Sequence, residues 1–173
     1  MKAIGIALLI VGFNLKACAE TNNLPQWFLQ SFSSLKLEKQ YKVIQPCKPA
    51  FLEADFNGDK QNDIAVQIID LKSKKRGLLI INGGQNNYFI FGCGKKFADE
   101  TFSDTNWLNG WRVFKSRYAY KPTFNTDGDI TGSKRVNLKF PAISIYSRED
   151  GDEIAGQYIY WNNNKYISTH QGE

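Results

Sequence analysis

The residues best equipped for chemistry form one short stretch, Asp55-Phe56-Asn57-Gly58-Asp59-Lys60-Gln61-Asn62-Asp63, with side-chain oxygens at positions 1, 3, 5 and 9. Calcium takes about six to eight hard oxygen ligands in flexible geometry. A tight loop can aim Asp55, Asn57, Asp59 and Asp63 inward while the backbone carbonyl of Gln61, at position 7, supplies another oxygen. Gly58 allows the turn to close. The residues equally allow a metal-free turn, in which Asp55 and Asn57 cap backbone N–H groups. Two further acidic groups read as turns: Asp127-Gly128-Asp129 lacks later ligands, and Glu149-Asp150-Gly151-Asp152-Glu153 reads as a solvated hairpin tip.

Catalytic signatures are missing. His170 is the single histidine in 173 residues and stands near the end of the chain, and no serine lies in G-x-S-x-G. Gly92-Cys93-Gly94-Lys95-Lys96 has neither the spacing nor the setting of a phosphate loop and reads as a turn. Paired carboxylates could serve glycoside hydrolysis, but nothing places two of them across a cleft. No catalytic residue is assigned, and a binding role is expected rather than an enzymatic one. Aromatic residues make up 14% of the chain. Of these, Trp107, Trp111, Tyr118 and Tyr120 are candidates to face a ligand, because rings on a sheet surface can stack on sugars or anchor an interface.

Residues 1–19 read as an export signal. Lys2 supplies a positive start, Ala3 to Phe13 an apolar run too short to span a bilayer, and Ala17-Cys18-Ala19 the small residues before a cleavage after Ala19. A competing reading is a lipoprotein signal with Cys18 acylated. Either places residues 20–173 in a periplasm or outside the cell as one globular domain without a transmembrane segment. Of the 22 basic residues, Lys2 and Lys16 fall in the signal, leaving 20 against 17 acidic. That mild excess, with Lys72-Ser73-Lys74-Lys75-Arg76 fitting a hairpin turn, does not describe a nucleic-acid partner. Cys47 and Cys93, 46 positions apart, are expected to pair in an oxidising compartment, the alternative being two buried thiols.

The elements that must position these residues follow from periodicity. Pro25 followed by Trp27, Phe28, Phe32 and Leu35 at helical spacing predicts a helix within Leu24 to Lys36. The period then changes to two. Tyr41–Gln45, Phe51–Asp55, Ile64–Asp70, Gly77–Asn82 and Tyr88–Phe91 read as strands of consecutive antiparallel hairpins. Gly92 to Arg135 reads as loops with one or two strands. Val136–Phe140, Ala142–Tyr146, Gln157–Trp161 and Lys165–Thr169 read as strands again, the last two flanking Asn162-Asn163-Asn164. The expected class is α+β: one N-terminal helix packed on a mainly antiparallel sheet or β-meander.

Asp55-Phe56-Asn57-Gly58-Asp59 followed by Asp63-Ile64-Ala65-Val66 resembles the D-F-N-G-D-G-x-x-D-[LI]-A-V motif of FG-GAP and VCBS-type repeats. It is also similar to small exported bacterial proteins that carry the phrase once and end in an aromatic hairpin like Gln157 to Tyr166. The resemblance implies calcium in the loop. It covers about a dozen residues in a single copy, and a propeller needs several blades, so no propeller is implied. Lys60 stands where the pattern has glycine, which adds strain and a positive charge beside the ion. The expected function is recognition of another envelope protein, of inhibitor or immunity type. The alternative is a carbohydrate- or peptidoglycan-binding module using exposed aromatics.

Overall fold

The computed structural model describes residues 23–95 and 103–171. Residues 1–19, read as an export signal, and Cys18 among them lie outside the described residues. Helix α1, Gln26–Ser34, is shorter than the periodicity predicts. Pro25 precedes it as N-cap, and Lys36 at φ 57° ends the helical path. Fully buried Phe28 joins Leu24, Leu37 and Tyr41 in a cluster with Ile64, Val66, Ile68, Leu79 and Ile81.

The first sheet is built on β3, Asp63–Asp70, whose residues are all buried except half-buried Ile69. Strands β1, Tyr41–Ile44, and β2, Phe51–Ala54, both pair antiparallel with it. β2 takes the half from Asp63 to Val66 and β1 the half from Gln67 to Asp70, so the two lie end to end along one edge. β1 therefore does not form a hairpin with β2, contrary to the expectation of consecutive hairpins. Strands β4, Arg76–Ile81, and β5, Tyr88–Gly92, continue the sheet on the other side by hairpins.

The second sheet holds β6, Gly110–Phe114, β9, Ala142–Glu149, β10, Asp152–Asn162, and β11, Lys165–Gln171, in the order β11-β10-β9-β6. Two-residue turns with positive φ at both positions join its hairpins: Asp150-Gly151, and Asn163-Asn164. Those conformations match the strand twist, and Asp, Asn and Gly reach them at low cost. Strands β7, Tyr118–Phe124, and β8, Ile130–Asn137, pair only with each other. Both lie largely in the stretch from Gly92 to Arg135 read as loops with one or two strands, which with β6 holds three, and β8 overlaps only the start of the strand expected at Val136–Phe140.

Alternation distributes these strands into layers. Leu52, Ala65, Leu78 and Ile80 of the first sheet meet Trp111, Ile143, Ile145, Ile159 and Tyr166 of the second in one buried cluster. The outer face of the second sheet, through Ala142, Tyr158 and Tyr160, packs on Ala119 and Val136 of the β7–β8 hairpin. Both faces of β10 are therefore core. Among the described residues the fold is mostly antiparallel strand with one short α-helix, and neither sheet closes into a barrel. No helix there is long and apolar enough to cross a membrane.

The disulfide expectation is corrected. Cys47 and Cys93 are both free. Cys47 packs into the cluster between the sheets, where Gln67 Nε2 lies 3.0 Å from its sulfur, whereas Cys93 packs on the α1 side. Gly92 and Cys93, at φ 78° and 54°, break the strand alternation where Cys93 joins that opposite face.

Candidate functional site

The Asp55–Asp63 loop links β2 to the start of β3, and backbone N–H groups organise it. Asp55 accepts from Gly58 N–H at 2.6 Å and Lys60 N–H at 2.9 Å. Asn57 Oδ1 accepts from Asp59 N–H at 2.9 Å, and Asp59 Oδ1 from Gln61 N–H at 2.8 Å. Asp59 Oδ2 accepts from the amides of Asn57 and Gln85, at 3.2 and 2.6 Å. Asp63, fully buried, accepts from Phe56 and Asn57 N–H on one oxygen and from Gly83 N–H on the other. The Tyr166 hydroxyl lies 2.9 Å from Asn82 Oδ1 and 3.3 Å from Asp63 Oδ2, one proton between two acceptors.

Two positions carry the backbone path. Gly58 sits at φ 85°, and a Cβ there would come within 2.0 Å of the Phe140 ring. Lys60 adopts φ 70°, the left-handed conformation that a glycine would enter without strain. The carboxylates differ in their surroundings. Burial pushes the Asp63 carboxyl up to about 6; the Gly83 and Phe56 N–H groups oppose the rise, and Asp59 and Asp55 add to it. At Asp59 desolvation acts upward, but Gln61 N–H and the Asn57 and Gln85 amides hold the group below the usual carboxylate range. Burial pushes the Tyr166 phenol well above its ordinary value.

The structure thus brings Asp55, Asn57, Asp59, Gln61 and Asp63 into one loop. Every carboxylate oxygen and Asn57 Oδ1 in it already accepts a hydrogen bond. Among the described residues no three of His, Cys, Asp and Glu gather closely enough to hold a metal ion. Asp127-Gly128-Asp129 is a turn, in which Asn125 Oδ1 accepts from Asp127 and Asp129 N–H. At the acidic hairpin tip Glu153 departs from a simple solvated role, because Arg112 and Arg148 both pair with it.

The aromatic candidates separate. Trp111 is buried between the sheets at 1% exposure, its indole N–H donating to the Pro49 carbonyl at 2.8 Å, so it faces core and not ligand. Trp107 is half-buried against the same cluster. Tyr118 and Tyr120 are exposed, 47% and 51%, with ring planes at 77° to each other. His170 stands in β11 opposite Gln157 and is not part of a frayed end.

Sequence reading missed Phe124 and Ile130, at 58% and 59% the most exposed large apolar residues among those described. They pair across β7 and β8, beyond a bulge at Thr131. Alternation puts Phe124 on the face of Tyr118 and Tyr120, and Arg135, opposite Tyr120, lies 5.8 Å over the Tyr118 ring. The period-two signal was present in this stretch, but Pro122 and Gly132 obscured it. Comparison of the chain with protein-family models, curated proteins and solved structures gave no match.

Proposed function

We propose that this is an exported binding protein that recognises another envelope protein through the outer face of the β7–β8 hairpin. The observation that carries the reading is concentration: Tyr118, Tyr120, Phe124 and Ile130 are half of the eight exposed large apolar side chains among the described residues. They form one strip on one face, with Arg135 at its side. Exposed apolar patches of this kind favour protein contact, and Tyr and Arg are enriched among residues that carry interface energy. The tilt between the two tyrosine rings does not suit a flat sugar platform, which favours protein over glycan at this surface.

The test is capture from an envelope extract by wild-type protein and by the Tyr120→Ala, Phe124→Ala variant, followed by affinity measurement with the purified captured protein. We expect the variant to bind at least about thirtyfold more weakly, as loss of an interface anchor worth about 2 kcal/mol requires. Equal affinity of the two proteins would place recognition elsewhere.

Calcium is the ligand proposed for the Asp55–Asp63 loop. Support comes from the donor set and its resemblance to FG-GAP and VCBS loops: a carboxylate oxygen that accepts one hydrogen bond keeps a second lone pair for a cation. Asp55, Asn57 and Asp59 would hold the ion, with the Gln61 carbonyl and Asp63 completing the set. Calorimetric titration of chelator-stripped protein should then show about one site per chain, lost in Asp59→Ala. Absence of heat and of any thermal shift at millimolar calcium would leave the loop as a turn built from hydrogen bonds alone.

A further inference from the structure

We infer that the groove between α1 and the β4–β5 turn is a binding site for a neutral saccharide. Its volume is about 760 Å³, and ten residues line it. Trp27 and Gln30 come from the helix, Gln61 and Asn62 from the end of the acidic loop, and Gln85 and Asn86 from the turn, with two serines and two glycines completing the lining. None is ionisable, in a chain where 23% of residues are charged. The surface offers amides, hydroxyls and an indole.

Bare backbone forms part of the floor of this groove. A Cβ on Gly84, at φ 62°, would fall 2.2 Å from Gln61 Oε1, so the amide of Gln61 lies directly against bare backbone. A Cβ on Gly83 would fall 2.3 Å from the Asn62 carbonyl oxygen. Gln85 is pinned at both ends of its amide, donating to Asp59 at 2.6 Å and accepting from Asn87 at 2.7 Å. By contrast, the side chains of Gln30, Gln61 and Asn86 make no hydrogen bond among the described residues. Trp27 is half-buried, held against the α1-side cluster and edge-to-face with Phe28.

These features are complementary to a sugar. A planar amide presents a donor and an acceptor side by side, which pairs with the hydroxyls on neighbouring sugar carbons. An indole offers an apolar face to the C–H side of a pyranose at low entropic cost. The lack of charge removes the electrostatic attraction that a uronate, a phosphate or an ionised peptide would need. The site is separate from the hairpin face, and it concerns a different class of ligand.

The experiment is a nitrogen-15 NMR titration of the full chain with maltotetraose, cellotetraose and chitotetraose. Each is taken to about 10 mM, ten times a Kd of about 1 mM. The four indole signals are assigned with Trp27→Phe. We expect at least one sugar to shift the Trp27 indole saturably, with affinity falling about tenfold in Gln61→Ala, Asn86→Ala, two exposed positions whose loss leaves the core intact. The Tyr120→Ala, Phe124→Ala variant should retain the shift, so the groove and the hairpin reading stand or fall separately. No movement of the Trp27 signal with any of the sugars overturns the inference. So does equal affinity in the amide variant, or a response from the neutral peptide Gly-Asn-Gly-Gln alone, which would assign the groove to peptide.

Discussion

Asp63 accepts hydrogen bonds from three backbone N–H groups in the loop and the β4–β5 turn while wholly buried. In Asp63→Asn one carboxylate oxygen becomes an NH2 facing an N–H donor or the Tyr166 hydroxyl region. A buried donor left unsatisfied costs about 1–3 kcal/mol, and Asp63→Ala, which removes the acceptor altogether, should cost at least as much. Asp55→Asn, in a half-exposed setting, should cost less. Urea denaturation in excess chelator measures all three, and a loss present without calcium assigns Asp63 to holding the chain path. A neutral Asp63→Asn would mean that solvent or an alternative partner reaches those N–H groups. The same scale explains why Gly58 is required and Lys60 tolerated. Gly58 faces the Phe140 ring with no room for a Cβ, whereas Lys60 meets only the cost of its left-handed backbone.

Between elements, the clearest polar tie runs across three strands. Arg112 of β6 and Arg148 of β9 lie over the ring of Tyr146, 4.6 and 4.8 Å from its centroid, and both pair with Glu153 of β10. Arg112 foremost holds Glu153 below the usual glutamate value of 4.5. A depressed carboxyl stabilises the fold above its unfolded pKa and loses that contribution as pH falls through the folded one. With 35% of the Glu153 side chain exposed, solvent screening limits the effect to about 0.5–1 kcal/mol. Glu153→Gln should therefore cost about that much at pH 7 and nothing near pH 2, as read from denaturation midpoints at both values; an unchanged cost in acid would exclude the ion pairs. This cluster was not legible from the sequence, where Glu149 to Glu153 read as an acidic tip, because Arg112 comes from a strand 41 residues away and Arg148 meets Glu153 only through the β9–β10 register. Local order was legible: α1, β2 to β5 and the strand regions of β9 to β11 follow from apolar periodicity and turn residues. Lateral placement was not. That β1 adds to β3 rather than β2 depends on the length of β3, and that Trp111 turns inward while Tyr120 turns outward depends on which sheet covers each strand.

At the scale of the molecule, layering decides what the cysteines do. The first sheet separates a cluster containing Cys47 from one containing Cys93. A disulfide needs Cα atoms within about 7 Å and Cβ atoms directed at each other, which a pair split between the two faces of a sheet does not provide. Burial pushes the Cys47 thiol up, and at Cys93 burial, aided by Asp70, lifts it to about 11. Both groups are thus protonated at pH 8 and half-buried, and the native protein should alkylate slowly at each. Denatured without reductant, the same protein should take up label at both Cys47 and Cys93, located by peptide mass spectrometry. A reductant should leave the melting temperature unchanged. Were the two bonded across their 46 positions, reduction would remove about 4 kcal/mol of stability and lower the melting temperature by about 8–16 °C, with no label taken up beforehand. That result would require the first sheet to open at the β5 edge, so the thiol measurement tests the layer order as well as the redox state.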